Sequence, residues 1–258
     1  MLKSMIIFFL QSCITSRITK RIKKGVQDHG KNINFYKIKE EGFIELGIVL
    51  VFCTVIALSF AATGVNVLQN GIGGWNGKSV TEILGVPADK ATVKDIEKLS
   101  KADVMQLFYA ADAPSFERIK GEYKGQIINV GILALPTDYL THHFFCPPRW
   151  VGKAFFPFEK DKGWGYNVCY GEGNKTIRMR KMDTYMGVSN IDKKNSFHIH
   201  YASYNSDLFY TMHDEMRKIN DNLYIGMGYM AITGGSINPF PFVHIGPPTP
   251  WVGIDHDG

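Results

Sequence analysis

The residues of this chain most able to do chemistry are the histidines of Phe197-His198-Ile199-His200-Tyr201. Successive side chains of a strand point to opposite faces, so His198 and His200 would project together, as paired imidazoles do when they reach one metal. A metal needs a third ligand. His213, Asp214 or His244 could supply it, yet no spacing rule ties any of them to the pair. Ordinary hydrogen bonding of two strand histidines is therefore the expected state, and no metal site is assigned. Asp214, Glu215 and Arg217 place opposite charges close along the chain, as an acid and base in a pocket would require; in a polar turn the same charges are a solvated face, which is the simpler expectation. His142 and His143 precede Phe144-Phe145-Cys146-Pro147-Pro148 and fall in a loop by composition. Gly-x-Ser-x-Gly, His-Glu-x-x-His and P-loop patterns do not occur, so no catalytic set and no cofactor is assigned.

A ligand is better served by the late strands. If the runs Ser196 to Tyr204 and Leu223 to Ile232 are neighbours, His198 and His200 share one face and Tyr224, Gly226, Gly228 and Met230 share another. Glycines on an inward face would leave room, so a cavity bounded by these six residues is expected, with a small apolar ligand in it. Met227 and Met230 add soft apolar surface, though filling a core is the commoner use of methionine. The expected function is binding of such a ligand. An isomerase or cyclase using His198, His200 and Asp214, and a structural envelope module, are the competing readings.

These residues must be positioned by a mainly β fold. Short runs rich in β-branched and aromatic residues, separated by turn residues, cover Gln126 to Leu135, Trp150 to Phe158, Gly165 to Tyr170, Lys175 to Met182, Tyr185 to Ile191, Ser196 to Tyr204 and Leu223 to Ile232. Such spacing suits an antiparallel barrel or sandwich better than a parallel sheet. Thr92 to Ala111 reads as one amphipathic helix with Thr92 as its cap, and Leu208, Met212, Met216 and Ile219 behind Ser206 as a short helix over the sheet. The proline-rich end around Pro239, Pro241, Pro247, Pro248 and Pro250 suggests extended chain with few ladder bonds lying across an apolar surface. Asn70 to Gly77 is a glycine-rich spacer. The domains are then 1–42, a basic segment; 43–63, an apolar helix; 64–91, a linker; and 92–258, the β domain.

The run Phe43 to Thr63 carries Glu45 as its one charge and is long enough to span a bilayer core of about 30 Å. It is a transmembrane or signal-anchor helix, or a cleaved signal with Ser59-Phe60-Ala61 as its processing site. Arg17, Lys20, Arg21, Lys23, Lys24, Lys31, Lys37 and Lys39 precede it, so the amino end is expected in the cytoplasm and the β domain outside. The patch Met5 to Leu10 is too short to span. The net charge of +5 thus sits mostly ahead of the apolar run, which argues against a nucleic-acid-binding domain and leaves the membrane as the expected partner. Export would leave Cys146 and Cys169 as either one disulfide or two buried thiols.

Two pieces resemble the GXWXG-type family of small lipocalin-like domains. Gly121-Glu122-Tyr123-Lys124-Gly125 is similar to that family's glycine, aromatic, glycine opening, with Tyr123 where the family has Trp, and Trp150-Val151-Gly152-Lys153 is similar to its Trp-x-Gly-Lys. Asp214 to Ile219 followed by Leu223 to Met230 resembles its charged turn and late strand. The resemblance covers about residues 105–235. It implies a lipocalin-like barrel in which Gly121, Tyr123, Gly125, Trp150, Gly152 and Lys153 are structural, with no catalytic residues to carry over. The residues suit that role: an aromatic between glycines can plug a barrel end while the glycines allow close chain approach.

Overall fold

The computed structural model describes the backbone of residues 35–71 and 74–255, and the side chains of 47–51, 53–71 and 74–255. Most of the basic amino-terminal segment and the Met5 to Leu10 patch lie outside the described residues. The chain divides into two compact units, Met1–Ile56 and Ala57–Gly258. Helix α1 (Phe35–Leu68) begins before Phe43 and runs past Thr63, so the expected linker starts with helix. Within it Gly47–Leu68, 22 residues, is long and apolar enough to cross a membrane; at 1.5 Å per residue it measures about 33 Å. Ile48, Leu50, Val51, Leu58 and Phe60 are exposed along it.

The second unit is built on a closed antiparallel barrel of eight strands in sequence order. They are β1 (Gly121–Ile127), β2 (Arg149–Pro157), β3 (Lys162–Tyr170), β4 (Thr176–Val188), β5 (Asn195–His200), β6 (Met212–Asn220), β7 (Leu223–Met230) and β8 (Phe240–Thr249). The mainly β, antiparallel expectation holds, while several elements differ from it. The segment after Ile127 leaves the sheet and forms helix α5 (Ala134–Leu140). The runs Lys175 to Met182 and Tyr185 to Ile191 are one strand, because Asp183 and Thr184, which read as a turn, pair with Trp164 and Gly163. Arg180, at φ 57°, sits in a register shift of β4, a bulge that bends the long strand.

The expected helix behind Ser206 is a single 3-10 turn, Leu208–Thr211, followed by β6. Met212 and Met216 are four apart, a spacing that fits one helix face and equally one strand face, and pairing with β5 and β7 decides for the strand. The proline-rich end also corrects: Phe240–Thr249 pairs with both β7 and β1 and closes the barrel. Pro247 and Pro248 fall within the register shift of the β1 pairing, where no ladder donor is required. Beyond it, Trp251 does lie across an apolar surface, against Tyr166 and Phe156.

Helices cover the outside. α2 (Val80–Leu84) starts at a capping box of Ser79 and Glu82, inside the stretch expected to be linker. The expected helix Thr92 to Ala111 is two, α3 (Val93–Glu97) and α4 (Lys101–Ala110), because Ser100 accepts the Asp103 N–H and starts a new helix. Val104, Leu107 and Phe108 of α4 pack with Ile219, Ile225, Met227 and Val243 on the outer wall of β6 to β8. The opposite faces of those strands look inward, where Tyr123, Phe155, Met182, Phe197, Ile199, Met216, Tyr224 and Phe242 form the core.

The two motif segments are neighbours: Tyr123 lies opposite Lys153 and Lys124 opposite Gly152. A Cβ on Gly152 would strike the Tyr123 carbonyl, and one on Gly125 would strike the Trp150 ring, so both glycines are required by close approach. Cys146 and Cys169 are joined in a disulfide that ties the segment before β2 to β3.

Breaking that disulfide should destabilise the barrel. Its sequence separation of 23 corresponds to a closed loop contributing about 3 kcal/mol in the chain-entropy account. Denaturant unfolding of Cys146→Ala/Cys169→Ala protein should show a loss of about that size relative to wild type.

Candidate functional site

At the centre of the barrel Lys153, from β2, is buried with its Nζ 2.9 Å from Oδ2 of Asp214 on β6. An ammonium has three N–H bonds. Here they meet Asp214, the Asn167 side-chain carbonyl of β3 at 3.1 Å and the Tyr201 hydroxyl just past β5. Tyr201 in turn donates to Asp214 Oδ2 and accepts from Asn167 Nδ2, while the Trp150 indole N–H donates to Asn167. The rings of Phe145, Trp150, Tyr201 and Phe242 stand 5.1–5.4 Å from Nζ. Burial pushes the Lys153 amine down and the Asp214 carboxyl up, and each is partly held back by the other's charge. Burial, then the Asp214 charge, pushes the Tyr201 phenol well up, so it stays a neutral donor.

The second oxygen, Oδ1 of Asp214, is buried without a hydrogen-bond partner. It stands over Gly228, where a Cβ would come within 2.8 Å of it. Gly228, Lys153, Trp150, Met212, Met230 and Phe242 are among the walls of a cavity of about 320 Å³, nearly all apolar. Its mouth is formed by α5 and the 3-10 turns Leu208–Thr211 and Ala231–Thr233, and the rim residues Leu140, Leu208 and Ile232 are exposed.

His244 of β8 is buried among Tyr123, Trp150, Phe155 and Phe242, with both ring nitrogens unpartnered. Burial, then the Lys153 charge, pushes its imidazole down to about 3, so it is neutral at physiological pH.

The structure splits the six expected ligand residues into two sets. Tyr224, Gly226, Gly228 and Met230 do face inward together. Gly228 and Met230 line the cavity, but Gly226 is covered by the Phe242 ring, and Tyr224 packs on Tyr123 away from it. Leucine at Gly226 would collide with that ring and at Gly228 would crowd Asp214, so neither glycine opens the free space expected beside it. His198 and His200 do share a face, but alternation with inward Phe197 and Ile199 turns it to the outer wall. There His198 Nδ1 is 2.8 Å from His213 Nε2, Tyr185 stacks on His198, and Tyr229 stacks on His213. Burial, then the neighbouring histidines, pushes His213 down to about 3.

Asp214, Glu215 and Arg217 are in strand β6, fully buried, and form no turn. Asp214 points in, while Arg217 on the outer side is bound by Asp192 and the Phe108 carbonyl. Met227 likewise faces α4 and does not line the cavity. His142 sits in a wide helical turn, Thr141–Phe145, where its Nδ1 accepts the Trp150 backbone N–H at 3.0 Å. Lys153, expected to be structural, together with Asn167 and Tyr201 was the part of the site that sequence reasoning passed over. The available signal was parity: with β6 read as a strand, Asp214 falls inward and requires a buried cation.

No family model matches the chain and no curated protein matches it. A crystal structure of a protein from Thermomonospora curvata is similar to it, with a TM-score of 0.44 and 17% identity, covering 61% of this chain and 97% of that one.

Removing one member of the central pair should cost far more than removing both. Lys153→Met and Asp214→Asn are each expected to lose about 3–5 kcal/mol in denaturant unfolding, and Lys153→Met/Asp214→Leu to recover most of it. His244 gives a pH signature. Its folded value of about 3 lies below the ordinary 6.5, so the unfolded chain binds one more proton between those limits and stability falls as pH drops through that window, by about 1.4 kcal/mol per unit. His244→Leu should remove one proton's worth of that slope in unfolding measured from pH 7 to pH 4.

Proposed function

We propose that this chain is a membrane-tethered, lipocalin-like barrel that binds a small, uncharged, apolar molecule bearing one hydroxyl or N–H donor, with the barrel on the extracytoplasmic side. The observation that carries the reading is the unpartnered Asp214 Oδ1 packed against Gly228, and Gly228 is itself on the wall of an apolar cavity. A buried acceptor left without a donor costs about 1–3 kcal/mol, and a ligand hydroxyl or amine placed there would relieve it. The Lys153–Asp214 pair is neutral overall and surrounded by rings, so a charged ligand would be desolvated without compensation. At about 320 Å³ the cavity is at the small end of ligand pockets, roughly 300–1,000 Å³.

The mouth supports loading from a bilayer. Leu135, Tyr139 and Leu140 of α5, with Leu208 and Ile232, are large apolar side chains left exposed around it. Large exposed apolar patches mark ligand, protein or membrane contacts. The end of α1 is fastened to the same region: Asn66 donates to the Asn238 side chain at 2.7 Å, and Gln69 accepts the Ile132 N–H at 2.8 Å. The basic residues ahead of α1 favour a cytoplasmic amino end. A formed cavity weighs against a purely structural module, and the separation of His198 and His200 from Asp214 removes the residue set on which the isomerase or cyclase reading depended.

The test is to purify the full chain from membranes in detergent, extract it with organic solvent, and compare the extract by mass spectrometry with those of Thr141→Trp and Met230→Trp proteins, which plug the cavity. A neutral species carrying a hydroxyl or amine should be enriched at least about tenfold in the wild type, the equivalent of 1.4 kcal/mol. Equal recovery from the plugged proteins, or nothing above a detergent blank, would overturn the proposal.

A further inference from the structure

A second constellation lies on the outer wall of the barrel, separate from the cavity. Ring nitrogens of His198 and His213 and a carboxylate oxygen of Glu215 lie within 4.8 Å of one another. They come from adjacent strands: His198 of β5 is directly opposite Glu215 of β6, and His213 is two residues before Glu215 on the same face. Glu215 is fully buried, and among the described residues no lysine or arginine nitrogen forms an ion pair with it. Its Oε1 accepts from the Asn190 backbone N–H at 2.8 Å and the Tyr229 hydroxyl at 2.9 Å. Its Oε2 has no partner, and neither does Nε2 of the buried His198. A buried carboxylate with one oxygen unsatisfied and no cation beside it is a costly arrangement that a bound cation would stabilise.

We propose that His198, His213 and Glu215 hold a zinc-like divalent cation. Two imidazoles and one carboxylate suit zinc and its first-row neighbours, whereas magnesium and calcium prefer all-oxygen sets. The fit needs only a small adjustment. Donors each about 2.1 Å from a tetrahedral ion stand about 3.4 Å apart, and the 2.8 Å between His198 Nδ1 and His213 Nε2 opens to that by modest ring rotation. Outer partners are in place, since Tyr229 and Asn190 fix the Glu215 carboxylate and Tyr185 stacks on His198. Three protein ligands leave a fourth position open. His213 and Tyr229 also line a surface groove of about 330 Å³ with His200, Tyr210 and Thr211, so that position is reachable by water or a small ligand. This is the pattern of a catalytic zinc site and differs from a closed structural one.

The test uses the full chain in detergent micelles, stripped with chelator and titrated with Co²⁺ as a spectroscopic stand-in for Zn²⁺. The expected result is saturable binding of one Co²⁺ with the intense visible bands of low-coordinate cobalt, displaced by Zn²⁺. His213→Gln, His198→Gln and Glu215→Gln should each weaken it by more than the roughly 10–100-fold that loss of an outer partner costs. His143→Gln, remote from the cluster, should leave it unchanged. Far-UV circular dichroism selects the variants that keep the barrel, and one folded variant of the three suffices. No saturable uptake, octahedral-type pale bands, or affinity unchanged in a folded variant would overturn the proposal.

Discussion

A charged amine at the centre of an eight-stranded barrel is tolerable only if each of its N–H bonds meets an acceptor, because solvent is absent and an unpaired buried charge is among the costliest defects a fold can carry. Lys153 meets that condition through groups on separate strands: Asn167 from β3, Tyr201 beyond β5 and Asp214 from β6. A slip of one residue in any of these pairings would turn the partner to the outer face and leave the charge stranded. The knot therefore adds a register constraint to an interior of rings and methionines that could otherwise repack with small losses. Double removal can recover stability by replacing the pair with apolar side chains, yet it would also remove that constraint on register.

Strand β6 does two polar tasks at once. Its inward residues Asp214 and Met216 join the central ion pair and the core, while of its outward residues Glu215 and Arg217 are buried beneath the outer helices and the connection before β5 and His213 is half-buried at a surface groove. Each outward charge is satisfied differently. Arg217 has a bidentate partner in Asp192, whereas Glu215 has neutral donors on one oxygen. A wall polar on both sides explains why the segment reads so poorly as sequence. The closely spaced charges Asp214, Glu215 and Arg217 look like a solvated turn, and only burial by α4 and by β5 and β7 makes them interior.

What was legible follows from local chemistry. The apolar run of α1, the antiparallel β class and the inward face of Tyr224, Gly226, Gly228 and Met230 all rest on short-range pattern or parity. What was not legible depended on partners distant in sequence. Leu223 to Met230 alternates, but alternation does not say that Phe242, on the strand that closes the barrel, fills the space above Gly226. The pair His198 and His200 has the right parity with each other, yet which face is inside is set by Phe197 and Ile199 joining the aromatic core. Proline content hid β8, since a strand that crosses a register shift can omit donors that a regular ladder demands.

The position of the cavity follows from how the interior is filled. An eight-stranded barrel has an interior just wide enough to be closed by side chains or to hold one small ligand, so the choice is made by local volume. At one end Tyr123, Phe155, Tyr224 and His244 stack against one another. Toward the other end β7 offers Gly228 and the unbranched Met230, and the neighbouring β6 supplies Met212, side chains that adapt their shape to whatever adjoins them. The glycine has a further consequence: any larger residue at 228 would bring its Cβ within 2.8 Å of Asp214 Oδ1 and press on that carboxylate. Only glycine at 228 is compatible with the Asp214 carboxylate in this place, so the register that seats the buried pair also fixes a glycine on the cavity wall.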